Sequence, residues 1–295
     1  MFYLCPPDVN QLMRLDTLIA DSWKMDGGVA FGVVPKSIWN RTGIADENNM
    51  IPIVTRLLLI RSNERTILTD AGMGNKRDEK YYRLRFRDPS FSLEKSLAAL
   101  GLGFEDITDV LFTHLHDDHV GGASVEKDGN CIPAFPNAGF LVSRAQWDWA
   151  IHPNKREGAS YFRDNLNPLA ESGRLRLIEN ETELIPGLKL RIFNGHTRGQ
   201  IIPFLQAGCE TLVFMGDFIP TTLNIPLAFV PAVDIQPLVS MEEKADFLKE
   251  AVENKYILLF EHDAIYECCT LKNTEKGIVP DRVFTFNSLN HYRND

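Results

Sequence analysis

The chain reads as a mixed α/β protein built on one domain. Three features lead there: short apolar runs rich in β-branched residues, helical patterns between some of them, and a polar residue that recurs where the runs end. The runs are RLLLIRS and TILTDAG within residues 56–72, VLFTH (110–114), GFLVS (139–143), LKLRIFNGH (188–196), TLVFMGD (211–217) and YILLFEHD (256–263). Their length and composition predict buried strands. Between them, Ser240 as N-cap with Glu243 three residues on predicts a capped helix carrying Met241, Ala245, Leu248 and Val252 on one face. A second helix is predicted from Ser92 through Leu93 and Leu97 to Gly101, and a third from Ser143 through Trp147 and Ile151 up to Pro153. Asp70, His114, Asp217 and His262 each fall at the carboxyl end of an apolar run. In open α/β sheets ligands collect at that end of the strands, so four strands point at one site.

A chain of 295 residues fits a single core in such folds, and no linker rich in Pro, Gly or Ser divides it. The expected organisation is one domain over residues 1–295, with residues 1–45 as an N-terminal extension packed on the core. Residues 219–237, with Pro220, Pro226, Pro231 and Pro237 among Leu and Phe, predict a long ordered loop, a class that is usually functional in a compact domain.

Hydrophobic residues make up 44% and charged residues 24%, the composition of a globular protein with a sizeable core. The net charge of -9 argues against nucleic acid as a partner, since phosphate binding needs clustered Lys and Arg. The opening MFYLCPPDVN does not read as a secretory signal, and no run approaches the roughly 20 apolar residues of a membrane span. The five cysteines, Cys5, Cys131, Cys209, Cys268 and Cys269, form no CxxC pair. They fit a reducing compartment, so the cytoplasm is the expected location. Cys268 and Cys269 are adjacent, and neighbours rarely reach one metal with good geometry, so they read as two ordinary thiols.

Three of the seven histidines fall within six residues, in Thr113-His114-Leu115-His116-Asp117-Asp118-His119, followed by Val120-Gly121-Gly122. On a strand leaving its sheet, His114 and His116 would face the same side by period-two alternation. The turn after them would bring Asp118 and His119 to a neighbouring position, with Gly121-Gly122 allowing a tight turn. Imidazole and carboxylate suit zinc, and no thiolate narrows the choice. His196 follows a strand, with Gly195 before it for close approach and Thr197 beside it as a hydrogen-bonding support. Asp217 in Phe214-Met215-Gly216-Asp217 and His262 in Phe260-Glu261-His262-Asp263 complete the set.

This ordered pattern, HxHxDH, a His in a GHT turn, then an Asp and a His, resembles the metallo-β-lactamase superfamily over roughly residues 50 to 265. The resemblance implies a four-layer αβ/βα sandwich with the metals at one edge of the two sheets. Carried over by position, it gives His114, His116 and His196 to one metal, Asp118, His119 and His262 to a second, and Asp217 as the bridge. The cofactors implied are two divalent ions, zinc first, with manganese, iron or cobalt as alternatives. Asp70-Ala71-Gly72 looks like the family's DxG turn, whose aspartate supports the site from behind the ligands; the alternative is a simple turn carboxylate.

Residues 26–36 and the stretch Gly216-Asp217-Phe218-Ile219-Pro220-Thr221 look like the branch containing N-acyl homoserine lactonases and methyl parathion hydrolase. Lactonases of that branch carry a tyrosine three residues after the bridging aspartate, where this chain has Pro220. The function implied is hydrolysis of a lactone or carboxylic ester by a hydroxide bridging the two metals. The metals lower the pKa of water from about 15.7 to roughly 7, and Asp118 is the catalytic proton acceptor or relay. An aryl phosphotriester hydrolase on the same site is the alternative. A mononuclear-iron sulfur dioxygenase is another, although it would leave Asp118, His119 and His262 idle. Seven ligands exceed what a closed structural metal site needs. The expected partner is a small-molecule substrate, with no nucleic acid and no membrane, and the family's habits suggest a homodimer. Phe31, Trp39, Phe218, Ile219 and Phe229 are candidates for an apolar mouth, or else core residues. His152, His291, Arg144, Arg163 and Arg198 read as surface residues.

Overall fold

The computed structural model describes residues 13–62 and 64–293; Cys5 and the start of the 1–45 segment lie outside the described residues. The first sheet has the order β1 (Arg14–Asp26), β2 (Met50–Arg61), β3 (Thr66–Thr69), β4 (Asp109–Leu111), then β7 (Gly139–Ser143) and β8 (Leu175–Ile178). A small hairpin, β5 (Ser124–Lys127) and β6 (Asn130–Pro133), stands apart. The second sheet runs β15 (Gly277–Phe284), β14 (Cys268–Thr274), β13 (Ile257–Leu259), β12 (Glu210–Phe214), β11 (Gln200–Ala207), β10 (Leu188–Phe193), β9 (Thr182–Ile185). Within the 1–45 segment, β1 pairs with β2 from Arg14 to Asp26 as a strand of the first sheet, followed by the short helices α1 (Gly27–Phe31) and α2 (Lys36–Trp39).

The apolar runs are continuous because both faces of each sheet are covered. Leu57 and Leu59 of β2 turn outward onto α4 (Leu93–Ala99), α6 (Arg144–Ile151) and α7 (Arg163–Glu171), meeting Leu93, Leu97, Trp147 and Leu166. Leu58 and Ile60 turn inward against Leu190, Ile201, Phe214 and Leu259 of the second sheet. On its far side the second sheet packs Val213, Leu258 and Phe260 against Phe247, Leu248 and Ala251 of α8 (Pro237–Glu253). The result is the four-layer αβ/βα sandwich. Two further short helices, α3 (Glu79–Leu84) and α5 (Asp117–Val120), lie in the loops.

Two expectations need correction here. The last long helix begins at Pro237, three residues before Ser240, because proline at the first helical position is pre-set for helix geometry and gives up only an N–H that is unpaired there anyway. Ser240 is inside the helix and spends its hydroxyl on Asp234 (2.6 Å), while Glu243 accepts from the backbone N–H groups of Asn194 and Gly195. The histidine cluster is not on a strand either. β4 ends at Leu111, and His114 and His116 sit in the loop beyond it, with Asp118 and His119 in α5. The adjacent cysteines face opposite ways, Cys268 between the sheets and Cys269 toward α8, so they cannot share an ion.

The proline-rich segment is an ordered loop around a short 3-10 turn at Thr222–Asn224. Buried Lys244 of α8 holds it, donating to the carbonyls of Asn224, Pro226 and Phe229 at 2.9, 3.0 and 3.2 Å. Among the described residues no helix is long and apolar enough to cross a membrane.

Candidate metal centre

The seven residues read from the sequence converge at one edge of the sandwich. His114, His116, His196 and Asp217 form one group of mutually close donors, and Asp118, His119 and His262 form a second beside it. In the first group His114 Nε2 and His196 Nε2 approach His116 Nδ1 to 3.0 and 3.2 Å. In the second, His119 Nε2 and His262 Nε2 are 3.2 Å apart, and Asp118 lies 3.7 Å from His119. Asp217 stands between them. Its Oδ2 is 3.1 Å from His196 Nε2 and 3.7 Å from His114 Nε2, and its Oδ1 is 2.8 Å from His262 Nε2 and 3.5 Å from His119 Nε2.

Each imidazole directs its other nitrogen to an acceptor, which fixes its orientation. His114 Nδ1 donates to Thr113 Oγ1 (3.0 Å), whose hydroxyl in turn donates to Asp70 (2.6 Å). His116 Nε2 donates to Glu157 (2.9 Å) and His196 Nδ1 to Asp234 (2.9 Å). His119 Nδ1 donates to Asp70 (3.1 Å) and His262 Nδ1 to the carbonyl of Val54 (2.8 Å). The five nitrogens left over all face the two clusters, four of them within 2.8 to 3.7 Å of the Asp217 carboxylate oxygens. Buried lone pairs turned toward one another are costly unless a cation lies between them. This donor set therefore fits divalent ions, in two adjacent positions.

The local chain explains the convergence. Asp70 follows β3 with φ of 55°, a left-handed conformation that aspartate tolerates, and this turns its carboxylate onto Thr113 and His119. Asp70 thus orients residues of the cluster, accepting from Thr113 and His119, and is more than a turn carboxylate. Gly122 is needed for close approach and not for a left-handed φ: a Cβ there would stand 2.1 Å from the carbonyl oxygen of Ala71. The His196 turn is held by the proline-rich loop, with Ile235 N–H donating to the His196 carbonyl (3.0 Å) and Gln236 N–H to that of Gly195 (2.9 Å).

The charges are strongly coupled. Burial disfavours ionised Asp217, yet His262, His119 and His196 hold its carboxyl well below the usual range. Burial likewise opposes charged imidazoles, but Asp217 and the neighbouring carboxylates raise His196 to about 10 and His262 to about 9. His114, fully enclosed and facing His119 and His116, is pushed well below an ordinary histidine. Glu261, buried 3.3 Å from His119 Nδ1, is raised to about 8 by that burial. A cation must therefore displace protons from His196 and His262, and affinity rises with pH up to about 9–10 and falls on acidification. Calorimetric zinc titrations at pH 7.5 in buffers of different ionisation heat are expected to show net proton release; buffer-independent heats would refute this.

Trp23 stands edge-on to His262 at 6.2 Å. It packs with Phe31, Trp39 and Met73, and with Phe229 at their margin. Of the candidates for an apolar mouth, Phe31 and Trp39 are core residues of this cluster, and Phe218 and Ile219 are core residues under α8, Phe218 lying 4.2 Å from the Phe193 ring. His152 is exposed. Arg144 pairs with Glu179, Arg163 with the carbonyl of Ile151, and exposed Arg198 lies over Trp149. A groove of about 640 Å³ elsewhere, between Lys189, Phe204 and Tyr256, plays no part in the cluster; its Arg191 is already engaged by Glu250.

Sequence reasoning missed Thr113, Glu157, Asp234 and Glu261. Thr113 and Glu261 adjoin named ligands, and Asp234 lies in the flagged proline loop. Glu157, within Asn154-Lys155-Arg156-Glu157, carries the look of a solvated charged stretch.

Residues 54–262 match the Metallo-beta-lactamase superfamily. The N-acyl homoserine lactonase AiiA of Bacillus thuringiensis subsp. kurstaki is 25% identical over 219 residues, 70% of this chain and 79% of that protein. A probable metal-dependent hydrolase from Staphylococcus aureus superposes with a TM-score of 0.84 at 32% identity, covering 94% of this chain and 98% of the other. AidC, a dizinc quorum-quenching lactonase in complex with a product, superposes with a TM-score of 0.76 at 22% identity, over 94% and 97%.

Proposed function

The chain is a metal-dependent hydrolase belonging to the metallo-β-lactamase superfamily, and from that premise we propose that it holds two ions and opens lactones or carboxylic esters of N-acyl homoserine lactone type. The observation that carries the proposal is Asp217, each of whose oxygens faces a different histidine cluster. His114, His116 and His196 would hold one ion, Asp118, His119 and His262 the other, and Asp217 both. Two divalent ions, when bound, supply an acidified water and polarise the scissile carbonyl. Asp118, with a side chain 18% exposed, is the most open of the seven and accepts the proton of the attacking water, returning it to the leaving oxygen. Trp23, 6% exposed and edge-on to His262, makes that side of the centre apolar, with Phe229 partly open at the margin of the same cluster, an environment suited to an apolar acyl chain.

The reading takes zinc first, which imidazole and carboxylate suit, with manganese, iron or cobalt as alternatives that the same donors accept. It also takes a small molecule as substrate, residues 1–295 as one domain, the cytoplasm as location and a homodimer as assembly. Pro220 favours a second substrate class. It has no hydroxyl to donate to a developing oxyanion, and its carbonyl accepts from the N–H of His262 (3.2 Å). An aryl phosphotriester, activated by its leaving group, depends less on such a donor.

The test is metal content by plasma mass spectrometry, paired with turnover of a long-chain acyl homoserine lactone and of an aryl phosphotriester. Two ions with lactone turnover support the proposal. Two ions with phosphotriester turnover alone move the substrate class, and one iron with oxygen uptake overturns the hydrolytic reading of the site.

A further inference from the structure

Among the five histidines of the centre, His116 alone turns Nδ1 toward the other donors, where its contacts with His114 and His196 are 3.0 and 3.2 Å. Its Nε2 points away, into a pocket that holds Glu157, 3% exposed. Glu157 lies on the loop between α6 and α7, outside both clusters, and gathers five donors, two from its own loop and three from elsewhere in the chain. Oε1 accepts from His116 (2.9 Å), from the Tyr161 hydroxyl (2.6 Å) and from Thr197 Oγ1. Oε2 accepts from Trp149 Nε1 (2.6 Å) and Asn154 Nδ2 (3.1 Å). Thr197 is the residue after His196, so one carboxylate grips both the His116 loop and the His196 turn. A carboxylate is an acceptor at every lone pair, and every neighbour here is a donor.

We infer that Glu157 is the positioning residue of the first cluster. It locks His116 as the Nε2–H tautomer, leaving the Nδ1 lone pair aimed at the ion position before any ion arrives, and through Thr197 it holds His196 at the matching distance. This rests on the reading that the cluster binds an ion, but the tautomer it requires belongs to the ion-free chain. Glu157→Gln keeps the shape and replaces one acceptor by an NH₂ group that must face donors. Partners of this kind change metal affinity by about 10- to 100-fold.

The experiment has two parts on the full-length protein. In the first, Zn²⁺ is titrated against a chromophoric chelator, and Co²⁺ spectra are recorded, for wild type, Glu157→Gln and Tyr161→Phe. The expected result is a 10- to 100-fold weaker first-cluster ion and an altered cobalt spectrum in Glu157→Gln, with the second ion unchanged. Tyr161→Phe, which keeps the carboxylate on His116, stays within a few-fold of wild type. Equal weakening of both ions, or equal effects of the two substitutions, overturns the inference in favour of general damage to a buried network. In the second, ¹⁵N-histidine spectra of the ion-free wild type report the His116 tautomer, which needs no variant to fold. A proton on Nε2 supports the inference and a proton on Nδ1 overturns it. If the wild type takes up no ion, the proposed function fails, while the tautomer still decides the role of Glu157.

Discussion

Asp217→Asn is expected to lower kcat/KM by about 10³-fold or more, equivalent to about 4 kcal/mol of transition-state stabilisation, and to reduce the metal content of the purified protein. The size follows from position. Among the described residues Asp217 is the carboxylate whose two oxygens are divided between the clusters, and its negative charge would draw cations between His196 and His262. An amide keeps one acceptor oxygen and presents an NH₂ group to the other cluster, which must then bind an ion with a donor aimed at it. The imidazoles lose their counter-charge as well, so His196 and His262 should titrate closer to ordinary histidine. Kinetics at saturating zinc alongside metal analysis test this. Activity within tenfold of wild type at full metal content would show that Asp217 does not bridge.

Gly195→Ala is expected to destabilise the protein by about 3 kcal/mol or more, at the upper end of overpacking effects. A Cβ at Gly195 would stand 2.4 Å from Ser240 Cα and 2.5 Å from Ser240 N, backbone atoms inside α8 that cannot swing away. Relieving the clash separates α8 from the His196 turn, and with it go the Ser240 to Asp234 bond and the two N–H groups capped by Glu243. Gly158→Ala is the control. Its Cβ meets only a Pro153 ring carbon at 3.9 Å, so a change within about 0.5 kcal/mol is expected. Urea denaturation of both variants with m-values compared decides the matter; equal midpoints would show that the approach of α8 to this turn carries no cost.

The candidate metal-binding residues were legible because their chemistry is local: residue type, spacing of a few positions and placement after an apolar run are all visible in one dimension. The same holds for β3, β12 and β13, whose two buried faces leave continuous apolar runs. Where the geometry depends on another part of the chain, the pattern misleads. The period-two argument for His114 and His116 assumes a strand that ends at Leu111. The two rings converge instead because one offers Nε2 and the other Nδ1, a difference set by Thr113 and Glu157. Ser240 looks like a helix cap because the sequence does not show Asp234 folding back beside it. Glu157 looks like surface charge because its five donors come from residues 116, 149, 154, 161 and 197. Phe218 and Ile219 follow Asp217 directly yet point beneath α8.

The division of the candidate ligands between the two halves of the chain has a consequence for how the protein comes apart. Residues up to β8 supply His114, His116, Asp118 and His119; residues from β9 onward supply His196, Asp217 and His262. Neither half owns a complete set. The halves are also stitched at this edge by Arg56 N–H to the Glu261 carbonyl (2.9 Å) and Ile201 N–H to the Thr113 carbonyl (2.8 Å). Any ion seated there would therefore be a clasp across the sandwich, adding its binding energy to the apolar core that already joins the two halves. At a free-metal concentration a thousandfold above the dissociation constant the clasp adds about 4 kcal/mol. In a metal-starved environment the chain would keep its fold on a narrower margin, with the two hydrogen bonds left to hold this edge.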